Sequence, residues 1–135
     1  MSASSWLEFV DNPQVIQELY DSEPDLSSSD LFHVLVDERG TSITLGFQTD
    51  QTPVRHGLDW DPSDVNSFEF YLTFFDVQEF TVKGWGAPAQ KEITYSRSAT
   101  GNLSVTIVSV GTFLEFQARA VSVTNMRMGL VSRGE

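Results

Sequence analysis

From Leu31 onward, apolar residues recur at every second position, and a period of two predicts strands through most of the chain. Leu31, His33 and Leu35 alternate with Phe32, Val34 and Val36, so the first strand is largely apolar on both faces and is expected to lie centrally or under cover. Glu38-Arg39-Gly40 then turns the chain into Ile43, Leu45 and Phe47, which alternate with Thr44, Gly46 and Gln48 as in a half-buried strand, and the two form a hairpin. Beyond a polar loop over 49–66, Phe68, Phe70, Leu72 and Phe74 share one face of a third strand. Its expected hairpin partner runs from Glu79 to Trp85, with Phe80 and Val82 inward. Ile93 and Tyr95, the turn Thr100-Gly101-Asn102, and Leu103, Val105 and Ile107 predict a further hairpin. In the last run Leu114, Phe116, Ala118 and Ala120 face one way, and Val121 and Val123 continue toward Met128.

Ahead of the strands the period differs. Asp11-Asn12-Pro13 has the form of a helix start, with a side-chain acceptor for free amides and a proline whose missing N–H would have had no partner. Val15, Ile16, Leu19 and Tyr20 fall on one stripe, predicting an amphipathic helix of about two turns. Trp6, Phe9 and Val10 predict a preceding turn on the same core, and the polar stretch 23–30, with Ser27-Ser28-Ser29, is a loop. The expected fold is mostly β: an antiparallel sandwich or half-open barrel of about seven or eight strands with a short N-terminal helix. At 135 residues the chain is read as a single domain, 1–135.

Charge and composition narrow the function. Nineteen Asp and Glu against eight Lys and Arg give a net charge of −11 and a pI near 4.4. A chain this acidic does not present the basic face that nucleic acid requires. Sixteen of the acids precede Lys83, where Arg39 and Arg55 are the sole bases, so the negative potential belongs to the first two-thirds. Such clustering serves solubility, and it also steers a basic partner. There is no basic segment followed by an apolar run at the start and no stretch long enough to span a membrane, so a cytoplasmic location is expected.

Catalytic and cofactor patterns are missing. With no Cys there is neither a thiolate metal site nor a Cys nucleophile, and no G-x-S-x-G segment occurs. His33, mid-strand, reads as structural; His56, in a loop, has no neighbouring motif. Asp59-Trp60-Asp61-Pro62-Ser63-Asp64 fails as a calcium loop, because Asp64 stands where the turn glycine is needed and Phe70 where the bidentate Glu should be. No metal, cofactor or catalytic residue is therefore assigned. The same segment suits a binding surface, an indole among three carboxylates. The expected partner-binding residues are Asp59, Trp60, Asp61 and Asp64, joined by Glu23, Asp25 and Asp50.

The order of features resembles that of a known family. Trp6, a short helix, Asp21-x-x-Pro24, the paired strands Leu31 to Val36 and Ile43 to Phe47, Pro53 and Trp60 in a long loop, Asn66 before an apolar strand, Gly84-Trp85, and a last strand ending near Met128-Gly129 resemble the immunity protein 50 family. That resemblance implies a small mostly-β protein of bacterial polymorphic-toxin systems, encoded beside a toxin that it binds and neutralises by occlusion, without turnover. Joined to the acidic surface, it implies a basic toxin, for example a nuclease whose substrate path an acidic inhibitor could occupy. Two alternatives stand beside it. Ten Phe, three Tyr and three Trp could line a small-ligand or carbohydrate pocket in a β-sandwich without catalysis. Two acids about 5–9 Å apart in a cleft would instead mark a glycoside-hydrolysing enzyme. No feature fixes an oligomeric state.

Overall fold

The computed structural model describes residues 6–51, 67–84 and 91–129, of which residues 128 and 129 by main chain alone. A 3-10 turn, Trp6–Phe9, and a single helical turn α1, Gln14–Gln17, precede eight strands. These are β1 Asp30–Asp37, β2 Ser42–Thr49, β3 Ser67–Phe75, β4 Gln78–Lys83, β5 Glu92–Arg97, β6 Leu103–Ser109, β7 Thr112–Ala118 and β8 Ala120–Gly129. They form two four-stranded antiparallel sheets, ordered β1-β2-β3-β8 and β4-β7-β6-β5. The mostly-β sandwich is thus the observed fold.

The sheets are connected by one bent ribbon. β3 pairs with β8 up to Phe75↔Ala120, and β4 pairs with β7 from Gln78↔Gln117 onward. The chain crosses between the sheets twice at one place: β3 passes into β4 through Asp76, and β7 into β8 through Arg119, whose N–H donates to the Phe75 carbonyl at 2.9 Å. The positive φ of Asp76 (55°) and Glu79 (56°) turns the strand out of one sheet and into the other, as bulged corners do. The expected β3–β4 hairpin is corrected accordingly. The strands lie in different sheets, and Phe80 and Val82, expected inward, are 38% and 40% exposed. The hairpins β1–β2 and β5–β6 form as expected.

Between the layers, alternate residues of both sheets meet. Phe47, Phe68, Phe70 and Phe116 are fully buried, each burial worth about 2–3 kcal/mol before entropy. Trp6 stacks on Phe70 with ring centroids 5.5 Å apart, so the N-terminal turn belongs to the same core.

Two edges of the first sheet differ from expectation. Asn12 does not cap the helix: the N-cap is Pro13, without a side-chain bond. The Asn12 amide instead acts like a peptide group added to β8, donating from Nδ2 to the Val123 carbonyl at 2.9 Å and accepting the Val123 N–H on Oδ1 at 2.8 Å. Asp11 N–H donates to the Val121 carbonyl at 2.8 Å, and Val10 bridges Val121 in parallel, so this segment covers the start of the β8 edge. With Asn12 so used, α1 is one turn where two were expected, extended by bonds from the Leu19 and Tyr20 N–H groups to the Ile16 carbonyl. At the opposite edge lies β1. It was expected centrally or under cover, but it is the outermost strand.

Candidate partner-binding surface

Two hydrogen bonds gather acids from distant parts of the chain. The Tyr20 hydroxyl donates to the Gln51 carbonyl at 2.5 Å, and Gln51 Nε2 donates to the Ser22 carbonyl at 3.4 Å, so the segment bearing Glu23 and Asp25 runs beside Asp50. Buried Trp6 donates from its indole N–H to the Pro24 carbonyl at 2.8 Å. Pro24 is thereby anchored inside, with Glu23 half-buried and Asp25 exposed on either side of it. The Asp25 carbonyl accepts the Ser29 N–H at 3.1 Å and its hydroxyl at 2.7 Å, which holds the loop in a tight turn.

This loop lies along β5. Ser27 Oγ accepts the Ile93 N–H at 3.1 Å, and the Lys91 ammonium donates to the Ser29 carbonyl. Burial lowers the Lys91 pKa below that of a free lysine, while Asp30 and Asp25 pull in the opposite direction. Between the loop, the N-terminal turn and β5 opens a groove of about 740 Å³, lined by Glu8, Phe9, Asp25, Tyr95 and Arg97 among others. Tyr95 meets Phe9 edge to face at 5.3 Å, and the Arg97 guanidinium sits 5.6 Å from the Phe9 ring centre. Burial raises the Tyr95 pKa, and the Asp25, Glu23 and Glu8 carboxylates raise it further. A second groove, of about 480 Å³, lies on the other side of Glu8 and includes Asp21 and Glu23. The arrangement is an aromatic floor with carboxylates from two separate segments, Glu8 and Glu23/Asp25, beside it and Arg97 at one end. It suits a cationic side chain of another molecule, by charge and by the ring faces.

Of the residues expected to bind a partner, Glu23, Asp25 and Asp50 are brought to this flank; Asp59, Trp60, Asp61 and Asp64 lie outside the described residues, as do His56 and Trp85. Sequence reading missed Glu8 and Tyr95. Alternation assigns Tyr95 only to a hairpin strand with Ile93, and what distinguishes it is the edge position of β5, where it is half-buried. His33 is exposed on the outer face of the first sheet, its ring 5.8 Å from that of Tyr71. Among the described residues no group of three or more His, Cys, Asp or Glu is placed to hold a metal, and no helix is long and apolar enough to cross a membrane. The interlayer cavity, lined by Phe47, Phe74 and Val105 among others, is apolar and measures about 30 Å³. That is room for a water or two, against the roughly 300 Å³ or more of a ligand pocket.

The sequence profile of immunity protein 50 matches residues 12–129. The chain belongs to the immunity protein 50 family. Neither a curated protein nor a solved structure matches it. The span shared with the family begins at Asn12, the residue that covers part of the β8 edge, and ends at Gly129, the last residue of β8, so it takes in all eight described strands. As a member of the immunity protein 50 family, the chain carries Glu23, Asp25, Asp50 and Tyr95 within the family span, whereas Glu8 and Phe9 precede it.

Proposed function

We propose that this chain binds a toxin protein and neutralises it stoichiometrically, by covering the surface through which the toxin acts. Membership of the immunity protein 50 family carries this reading. The acidic flank supports the finer part, that the toxin surface is basic: Glu8 and Asp25 line the groove with Tyr95, Glu23 acts on the same side chain through its charge, and Asp50 lies on the neighbouring segment. The proposed contact surface also includes Asp59, Trp60, Asp61 and Asp64. Carboxylates clustered in this way speed association with a cationic patch and make it salt-sensitive, while an aromatic centre slows dissociation. A nuclease is the toxin class whose active surface, built for a polyanion, such an inhibitor would best complement. The function needs no cofactor, and its place is the cytoplasm of the cell that makes the toxin.

The test is a titration of the purified toxin domain encoded beside this chain. Neutralisation is expected to complete at one chain per toxin, with association slower at about 500 mM than at about 50 mM salt. Full neutralisation by a small fraction of an equivalent would mean turnover and overturn occlusion. Equal association rates at both salts would remove the basic partner.

A further inference from the structure

The two sheets have four edges, and three of them are covered over part of their length or guarded by a charge or irregularity. On β8, Asp11 and the Asn12 side chain occupy main-chain groups of Val121 and Val123. On β5, Ser27 takes the Ile93 N–H, and loop 25–29 lies alongside. β4 is broken by a register shift between Gln78 and Thr81, has Glu79 in the left-handed region, and ends in Lys83, all devices that discourage pairing. β1 differs. Among the described residues it pairs with β2 alone. Its irregularity falls near its start, between Leu31 and His33, and residues 33–37 then run in unbroken register without Lys, Arg or Pro. Phe32, Leu35 and Val36 on this strand are 44%, 52% and 47% exposed.

An unguarded apolar edge is a template for another strand, and the charges around it select which strand. β1 starts at Asp30 and runs into Asp37-Glu38. A second copy laid antiparallel and centred on β1 would set Asp30 against Asp37 at both ends, between chains of net charge −11 each. An extended segment that is apolar in the middle and carries Lys or Arg at its ends meets both features. The Asp30 end also continues directly from loop 25–29, the acidic flank.

We propose that β1 is the docking edge for such a strand of the toxin, which joins the first sheet as a fifth strand. This rests on the toxin-neutralising reading above and adds to it the mode of contact. Main-chain hydrogen bonds hold the added strand. Phe32 and Leu35 cover it on the outer face, where Phe32 already packs edge-on to Tyr71 at 5.7 Å.

The experiment follows amide hydrogen exchange residue by residue in the full chain, alone and with the purified toxin domain encoded beside it. In the free chain the β1 amides that point away from β2 are expected to exchange fast, and toxin is expected to slow them at least tenfold. Leu35→Lys is expected to raise Kd at least tenfold, while Val82→Lys on the β4 edge changes it less than twofold. Toxin binding with β1 exchange unchanged and Leu35→Lys equal to wild type overturns edge docking and leaves neutralisation standing. Failure of the wild-type chain to bind overturns both. β1 amides already slow in a free monomer would show the edge covered by the chain itself, and slow amides in a sedimenting dimer would show a second copy there; either overturns the proposal.

Discussion

Replacing Asn12 by Ala removes the side chain that covers part of the β8 edge, and its cost can be built from two bonds. Nδ2 donates to the Val123 carbonyl at 2.9 Å and Oδ1 accepts the Val123 N–H at 2.8 Å, both part-buried, and Val123 itself is 7% exposed. Each such bond contributes about 1 kcal/mol net, and a main-chain group stranded without water costs a further ~1 kcal/mol or more. Water reaches part of the gap, so the expected loss is about 2–3 kcal/mol, or about 8–10 °C in Tm for a chain of this size. Asn12→Asp separates the two bonds. A carboxylate still accepts the Val123 N–H, but its other oxygen faces the Val123 carbonyl with no proton between them. The folded state therefore favours the protonated acid and raises its pKa above the unfolded value of about 3.9. The stability of Asn12→Asp is then greatest below that value and is lost as pH rises through the folded pKa. Urea unfolding with the m-value monitored is the assay. At pH 7 the Asp variant is expected to be no more stable than the Ala variant, and to recover toward wild type in acid. Asn12→Ala within ~0.5 kcal/mol of wild type, with an Asp variant flat in pH, would refute the edge-covering role.

Tyr20 is 3% exposed, and burial raises its pKa well above the ordinary 10. Above pH 10 the unfolded phenol loses its proton while the folded one keeps it, so wild-type stability falls with pH by up to about 1.4 kcal/mol per unit. Tyr20→Phe gives up the bond to the Gln51 carbonyl, about 1 kcal/mol at neutral pH, but falls less steeply, so the two curves are expected to converge in alkali. Curves that stay parallel to pH 12 would contradict this. Gly84 has φ 75°, and an added Cβ would stand 1.8 Å from the Gly111 carbonyl oxygen. Gly101, φ 92°, would meet nothing within 4 Å. Gly101→Ala is expected to cost about 1 kcal/mol from backbone conformation alone, and Gly84→Ala at least ~2 kcal/mol more, because main chain must move. Equal losses in chemical denaturation would show that the β4 end yields without strain.

Alternation made the strands and two hairpins legible, because Ile43, Leu45 and Phe47, or Leu103, Val105 and Ile107, can bury one face only in extended chain. It could not say which sheet a strand joins. Glu79 to Lys83 alternates as a partner of β3 would, yet the turn at Asp76 sends it to β7. A positive φ at Asp76 is the deciding quantity, and Asp gives less notice of it than Gly would. Asn12 was legible as a polar residue ahead of a helix, but its partner lies 111 residues away, beyond what local spacing encodes. The acids Glu23 and Asp25 were legible as part of a charged surface; Glu8 and Tyr95 were not, since their meeting depends on the N-terminal turn folding over the edge of β5.

β1 carries the most instructive difference. A strand apolar on both faces predicts a covered one, because such faces are selected to leave water. In the isolated chain they have not left it. Core packing does not account for a half-exposed Leu35 or Phe32, and solubility argues against them. The net charge of −11 offsets that liability by keeping copies apart, and its concentration ahead of Lys83 puts repulsion on the same segment that bears the open edge. Apolar edge and acidic surround are thus two parts of one selectivity, since together they reject another copy of this chain and accept a cationic strand. Lowering the charge alone should expose the apolar half. Asp30→Asn with Asp37→Asn is expected to leave the fold unchanged and to make the chain self-associate at concentrations where wild type sediments as a monomer, and a monomeric double variant would show that charge is not what keeps β1 open.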